Sequence, residues 1–138
     1  MSVGFKVGFF WFEIGTPDFL HCFFSTVAVN LEEGSWGSRF PVIMNELYQG
    51  HLEEKNVTGA IKELKTIKKQ LKKFSPEKVV WDFENPDLLP PWKNEISSEI
   101  TDLSNYFVNS DGDDFITLFM HALEKAQELK LCMNIEEL

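Results

Sequence analysis

The acidic run between residues 109 and 114 is the part of the chain whose spacing comes closest to a chemical site. Asn109-Ser110-Asp111-Gly112-Asp113-Asp114 alternates oxygen ligands around a glycine, an arrangement that can wrap a calcium ion. The register fails: with Gly112 as the glycine of such a loop, the first ligand position falls on Phe107 and the bidentate acid position on Leu118. The same residues precede a helical pattern, where they supply a turn and a cap. We therefore predict a capped turn and no metal site.

Nucleophiles and bases do not form a recognisable catalytic pattern in the sequence. His21, His51 and His121 are widely separated, and His21 cannot face its neighbour Cys22 on a helix, where adjacent residues point about 100° apart. Acids available for paired acid–base chemistry are Glu13, Asp82, Glu84 and Asp102. A chain with 22 acidic residues offers such pairs by chance, and it contains no phosphate-binding glycine loop or nucleophile elbow. We predict no catalytic residues, no cofactor and no enzyme activity.

Composition narrows the class of partner. The chain has 138 residues, 13 phenylalanines, 4 tryptophans and a net charge of -9, which predicts one domain with an aromatic core. An acidic surface repels nucleic acid and anionic lipid, so basic proteins or cations are the expected partners. The alternative is that acidity only keeps the protein soluble.

Cysteine usage and the N-terminus predict a cytoplasmic protein. Cys22 and Cys132 each lie within an apolar pattern, where free cysteine behaves as a small buried hydrophobe, and we predict two reduced thiols. The first residues lack the basic and apolar regions of a signal peptide. Charges interrupt every apolar run before it reaches the length of a membrane span.

In the first half of the chain, the patterning predicts one strand and three helices. The strand covers Val3 to Ile14, with its second half buried on both faces. A helix follows with Thr16 as its N-cap and Gly34 as its stop. Pro41 to Gln49 predicts a short helix or an irregular segment, and Asn56 is expected to cap a longer helix that ends before Pro76.

In the second half, the patterning predicts strands around one further helix. Short strands are expected at Lys78 to Phe83, at Asn105 to Val108 and at Leu131 to Ile135. The helix starts at Phe115, after a turn and cap from Ser110 to Asp113. Together these elements predict an α+β fold over residues 1–138, with a mixed α/β arrangement as the alternative. It would have a small mixed sheet of about four strands, and three or four helices packed on at least one face.

Five segments carry a resemblance to a known family. They are Phe5-Lys6-Val7-Gly8-Phe9-Phe10-Trp11, Phe19-Leu20-His21-Cys22-Phe23-Phe24-Ser25-Thr26, Trp36-Gly37-Ser38-Arg39-Phe40-Pro41, Val79-Val80-Trp81-Asp82, and Pro90-Pro91-Trp92-Lys93-Asn94-Glu95-Ile96 with the run that follows it to Asp114. In their order and spacing the chain resembles the immunity protein family numbered 70 of bacterial polymorphic toxin systems. The resemblance covers nearly the whole chain. It implies a protein that binds and neutralises the C-terminal toxin domain of a cognate polymorphic or contact-dependent toxin.

Candidate toxin-binding residues combine acidic or aromatic character with a predicted loop position. They are Trp36, Glu84, Asp87, Trp92, Glu95, Asp102, Asp111, Asp113 and Asp114. If the toxin is a nuclease, its basic cleft would be steered towards these acids, and inhibition would be by steric and electrostatic occlusion. Trp36 and Trp92 are either exposed anchors or buried loop pins, whereas Trp81 is expected in the core. The alternative function is a small enzyme or ligand-binding domain with a pocket walled by Phe9-Phe10-Trp11-Phe12.

Overall fold

A four-stranded sheet forms one layer of the molecule. The computed structural model describes residues 2–109 and 111–137. The strands are β1 (Val3–Val7), β2 (Phe10–Gly15), β3 (His51–Leu52) and β4 (Met133–Glu137). Their order is β2-β1-β4-β3, and each neighbouring pair is antiparallel. The predicted α+β class is confirmed, and the sheet is antiparallel throughout instead of mixed.

A tight turn at Gly8 makes the N-terminal segment a hairpin. Val7 pairs with Phe10 across a two-residue turn, and Gly8 has a φ of 58°, which glycine adopts without steric cost and which such turns require. Phe9 at the tip is fully exposed. The predicted single strand from Val3 to Ile14 is therefore wrong, as is the burial of its second half, because the apolar pattern continues through the turn.

Three α-helices supply the second layer. They are α1 (Pro17–Asn30), α2 (Val57–Leu71) and α3 (Phe115–Leu129). Helices α1 and α3 contact the sheet, while α2 packs against α3. Thr16 caps α1 as predicted, its hydroxyl accepting from the backbone N–H of Phe19 at 3.2 Å. The helix ends at Asn30, before the predicted stop at Gly34, and the chain then adopts left-handed backbone at Glu33 (φ 52°) and at Gly34 (φ 81°).

Phenylalanine rings in tilted and edge-on contact join the two layers. Phe5 on β1 lies with its ring centroid 4.7 Å from that of Phe119, and Phe23 on α1 lies 4.8 Å from Phe115. Phe23 also makes an edge contact with Phe107 at 5.1 Å. Strand β1, helices α1 and α3 and the segment around Phe107 therefore enclose the aromatic core that the composition predicted.

The segment between α1 and α2 contains two helical turns that are not α-helical. A π-helical turn (Val42–Glu46) runs into a 3-10 turn (Leu47–Gln49) and stops at Gly50, whose φ is 116°. The predicted short helix and its stop at Gly50 are both confirmed, although the helical geometry is π and 3-10 instead of α. Asn56 occupies the N-cap position of α2 as predicted, but its side chain makes no capping bond and its amide instead donates to Glu46 Oε1 at 2.7 Å.

Two carboxylates accept hydrogen bonds from the backbone of the segment between α1 and α2. Glu32 is 2% exposed and accepts from the N–H groups of Gly37, Arg39 and Phe40 at 2.9 to 3.0 Å. Glu63 on α2 accepts from Ile43 N–H at 2.8 Å and Val42 N–H at 3.2 Å. Burial raises the pKa of Glu63, the two N–H groups oppose that shift, and the charges of Glu32 and Glu46 add to it.

The cysteines differ in environment. Cys22 is buried on α1, and burial raises the pKa of its thiol to about 12, opposed only by a hydrogen bond with Thr26, which leaves it protonated and unreactive. Cys132 is exposed, so its predicted burial is wrong. Both are free thiols.

Candidate functional site

The stretch from residue 79 to residue 109, called the connection here, carries most of the predicted binding residues. The predicted strand at Lys78 to Phe83 is wrong, since a 3-10 turn (Pro76–Lys78) leads into irregular backbone. The predicted strand at Asn105 to Val108 is also wrong and is reduced to a single bridge between Val108 and Asp114. The connection is thus a long loop, which needs side chains from elsewhere to hold it.

Polar residues buried on α1 supply part of that support. The Thr26 hydroxyl accepts from Val80 N–H at 3.0 Å and lies 3.2 Å from the Val80 carbonyl oxygen. The Ser25 hydroxyl accepts from Phe83 N–H at 2.9 Å. Both side chains are fully buried, and these bonds replace those of the strand that the sequence predicted.

His21 joins the connection to two other parts of the fold. Its Nδ1 lies 2.6 Å from the hydroxyl of Tyr48, and its Nε2 lies 3.2 Å from Oδ1 of Asp82. An ionised carboxylate can only accept, so Nε2 carries the hydrogen, and in the neutral ring Nδ1 accepts from the Tyr48 hydroxyl. The sequence indicates no role for His21, because its spacing does not show that the fold brings Tyr48 and Asp82 to it.

The hydrogen-bonded chain Tyr48–His21–Asp82 holds these three side chains in fixed positions. Bonds from Glu84 N–H and from His21 keep the pKa of Asp82 below its usual value, against a smaller opposing effect of burial. Burial, reinforced by the negative charge of Asp82, raises the pKa of Tyr48. The phenol therefore stays protonated, which suits a hydrogen-bond donor and not a nucleophile or base.

Replacing Asp82 with asparagine is expected to lower stability modestly near neutral pH and to leave it unchanged in acid. The folded-state pKa of Asp82 lies below its ordinary value of 3.8. Its carboxylate therefore contributes stability that is present above pH 3.8 and is lost as the pH falls through the folded-state pKa. Urea midpoints of wild type and Asp82→Asn, measured across pH, should converge as the pH falls through the folded-state pKa of this carboxyl, which lies below 3.8. Asp87→Asn, at an exposed acid of the same loop, is the matched control; a gap that stayed constant into acid would contradict the expectation.

Trp36 is a loop pin beside this chain. Its indole N–H donates to the Met44 carbonyl at 2.9 Å, and its ring lies 5.0 Å from Tyr48 and 5.2 Å from Phe83 between centroids. The Trp36 ring is half-buried, so part of it is accessible to a partner. The sequence left open whether Trp36 is an exposed anchor for a partner or a buried residue that fixes its own loop. The second role fits the structure better.

Trp92, near the middle of the connection, lines a groove. Its indole N–H donates to the Tyr106 hydroxyl at 2.6 Å, and Trp81 packs edge-on against it at 5.5 Å. Trp81, which was expected in the core, is half-buried and packs against the core as part of this aromatic pair. Trp92 is itself half-buried, which makes it a fixed ring with one accessible side.

The predicted acids fall into two groups. Glu84, Asp87, Glu95, Asp111 and Asp113 are exposed. Asp102 and Asp114 are half-buried and engaged: Asp102 accepts from the backbone N–H and hydroxyl of Ser104, and Asp114 Oδ2 caps α3 by accepting from Thr117 N–H at 2.9 Å. Burial would raise the pKa of Asp102, but the Ser104 and Thr101 bonds and the charge of Lys72 outweigh it and lower that pKa.

The acidic run adopts a turn held by its own asparagine. Asn109 Oδ1 accepts from the N–H groups of Asp111 and Asp113 at 3.0 and 2.9 Å. The predicted cap shifts by one residue to Asp114, and Ser110 lies outside the described residues. Within residues 2–109 and 111–137, no group of three or more His, Cys, Asp or Glu is placed to hold a metal ion.

The structure brings some predicted residues together and separates others. Trp92 and Glu95 line one groove with residues that the sequence analysis did not single out. These are Phe19, Ile96, Glu99, Ile100, Tyr106 and Val108. Trp36 lies with the Tyr48–His21–Asp82 chain instead. The one signal in the sequence was the clustering of aromatic and β-branched residues inside an otherwise polar loop.

These features define a small α+β protein with an acidic loop surface and an apolar groove. A comparison with family models matches residues 5–135 to immunity protein 70. The chain therefore belongs to the immunity protein 70 family, and membership implies a toxin-neutralising role as a non-catalytic inhibitor. Comparison with curated proteins and with solved structures finds no match. In the described part of the chain, no helix has the length and apolar character needed to cross a membrane.

Proposed function

We propose that this protein binds the toxic C-terminal domain of a cognate polymorphic or contact-dependent toxin and inhibits it by covering its working surface. The observation that carries the proposal is the family match over residues 5–135. The proposal places the encounter in the cytoplasm of the producing cell. Inhibition by occlusion requires a rigid surface and no catalytic chemistry. The connection, which is held by hydrogen bonds from Ser25, Thr26 and His21, offers such a surface.

The chemistry of the connection favours a basic partner. Between residues 79 and 109, its acids are Asp82, Glu84, Asp87, Glu95, Glu99 and Asp102, and its one basic residue is Lys93. Leu88 is 50% exposed and Leu89 62% exposed beside these acids. Exposed leucines next to carboxylates suit a contact in which apolar burial gives affinity and charge gives association rate. A nuclease with a basic substrate cleft is the toxin class that fits best.

The experiment is co-expression of this chain with the toxin domain encoded beside its gene, followed by binding kinetics. Wild type should restore growth. Glu84→Lys/Asp87→Lys should slow association about tenfold at low salt, with the difference shrinking as salt screens the charges. The matched control is Glu124→Lys/Glu128→Lys on α3, which changes the charge equally at two exposed acids outside the connection.

Two results would count against the proposal in different ways. Unrelieved toxicity, with no complex formed by the wild type, would reject toxin neutralisation. Equal slowing by both double variants would reject the connection as the steering surface and leave neutralisation intact.

The alternative of a ligand pocket walled by Phe9-Phe10-Trp11-Phe12 is not favoured by the geometry. Phe9 is fully exposed at the hairpin tip, and Phe10 lies beneath the ammonium group of Lys125 at 5.0 Å. Trp11 turns its indole N–H to Glu13 Oε1 at 2.8 Å. These side chains point to different surroundings and do not enclose a common space.

A further inference from the structure

Two neighbouring depressions form one continuous groove beside the start of α1. Their volumes are about 440 and 380 Å³, and they share Phe19, Trp92 and Val108 in their walls. We call the combined depression the aromatic groove; its apolar lining includes Phe19, Trp92, Ile96, Ile100, Tyr106 and Val108, with Ile14 at the end of β2. It is therefore assembled from the end of β2, from the N-terminal turn of α1 and from both ends of the loop that runs from residue 92 to residue 108.

The floor of the aromatic groove is held rigid before any partner arrives. Trp92 is fixed by its bond to the Tyr106 hydroxyl, and Phe19 packs edge-on against Phe107 and Phe115 with centroids 6.2 and 5.7 Å away. Val108 is 44% exposed although it lies among these rings. An exposed apolar residue on a fixed aromatic floor loses little conformational entropy when a partner covers it.

The charged residues that line the aromatic groove are all acidic. Glu95 and Glu99 line one depression and Glu13 lines the other. No lysine or arginine is among the described residues that line either depression. A buried cationic group would gain from these carboxylates and from the face of Trp92, whereas an anionic group would be repelled.

We propose that the aromatic groove seats a cationic amphipathic segment of the partner, with an aliphatic or aromatic side chain on Trp92 and Val108 and lysine or arginine beside Glu95 and Glu99. This inference rests on the proposed toxin-neutralising function and names the chemistry of the toxin segment. Complementary charge selects a basic polypeptide over an acidic polypeptide or a nucleic acid.

The first arm of the test uses a defined probe. A twelve-residue peptide of lysines and leucines in amphipathic order would be titrated into isotopically labelled protein. The Trp92 indole N–H resonance is the reporter, since that group lies inside the groove in a defined hydrogen bond. The same peptide with glutamate in place of lysine is the probe control and should leave that resonance unmoved.

Matched variants separate groove binding from general attraction to an acidic protein. Glu95→Lys/Glu99→Lys and Val108→Asp should each weaken peptide binding about tenfold. Glu124→Lys/Glu128→Lys and Leu129→Asp, which make the same changes on α3, should weaken it less than about threefold. Circular dichroism and urea unfolding establish that each variant is folded. Equal weakening by groove and control variants, or a Trp92 resonance that stays in place, would overturn the proposal.

The second arm uses the toxin domain encoded beside the gene. If wild type protects cells and the groove variants protect equally well, the groove proposal fails while toxin neutralisation stands. If wild type gives no protection although the lysine–leucine peptide binds in the groove, toxin neutralisation fails and the chemistry of the groove stands. Loss of protection in the groove variants alone supports both.

Discussion

Replacing Phe23 with alanine is expected to lower the free energy of unfolding by about 3 to 5 kcal/mol. The side chain is completely buried on α1. Its ring lies 5.1 Å from Phe107, 4.8 Å from Phe115 and 5.7 Å from Phe24, each in an edge-on arrangement. Truncation would remove the buried area, these three aromatic contacts and a fourth with Phe119 at 6.2 Å, and neighbouring rings held by other packing would close the cavity only in part.

Phe9→Ala is the matched control, because it makes the same chemical change at a fully exposed ring. It should change the free energy of unfolding by no more than about 0.5 kcal/mol. Urea denaturation followed by tryptophan fluorescence and circular dichroism measures both variants. Similar losses for Phe23→Ala and Phe9→Ala would show that the core is not organised around Phe23 as described.

The same substitution links core packing to the proposed binding surface. Phe107 immediately precedes Val108 at the end of the connection, and Phe23 is one of the rings that hold it. In Phe23→Ala, amide hydrogen exchange should therefore rise around residues 106 to 109 before the whole domain unfolds. Greater mobility in the floor of the aromatic groove should weaken partner binding, although no residue that contacts the partner has changed.

The sequence predicts the helices well because their signals are local. Thr16 followed by proline, and the apolar spacing of α2 and α3, specify helix starts and buried faces without information from distant residues. The final strand β4 also follows from local pattern and lies two residues later than predicted. Each of these elements satisfies most of its backbone hydrogen bonds within itself or with a regular neighbour.

The errors have a local cause at the first hairpin and a distant cause in the connection. A single glycine, Gly8, turns a continuous aromatic pattern into a hairpin. The stretch around Val80 has the composition of a strand, but Thr26 and Ser25, more than 50 positions away, take the hydrogen bonds that a neighbouring strand would supply. Neither outcome is visible in the spacing of the residues concerned.

The candidate site was predictable in composition and not in arrangement. Acidic and aromatic residues of the loop were identified, but the groove depends on Phe19, which the pattern assigns only to the first turn of a helix. His21 similarly has two partners 27 and 61 residues away. A surface assembled from separate segments follows from tertiary packing, and a single sequence carries no direct record of it.

Glu32 should be the polar residue whose replacement destabilises the fold most. It is 2% exposed, yet it accepts three backbone hydrogen bonds, from Gly37, Arg39 and Phe40. A carboxylate is costly to bury unless donors surround it, and here the donors in turn depend on the carboxylate. Glu32→Ala would leave these N–H groups without their acceptor and should lower the free energy of unfolding by about 3 kcal/mol or more.

Glu32→Gln tests whether charge or shape matters at this position. Glutamine keeps one acceptor oxygen but turns an amide N–H₂ towards donors, so a loss of about 2 kcal/mol is expected. Glu33→Gln makes the same change at an exposed neighbour and should stay within about 0.5 kcal/mol of wild type. Amide exchange at residues 37, 39 and 40 should accelerate in the Glu32 variants and not in Glu33→Gln. Because Trp36 lies within the loop that Glu32 holds, its fluorescence should also change in the folded Glu32 variants, and an unchanged loop with full stability would contradict the role assigned to this carboxylate.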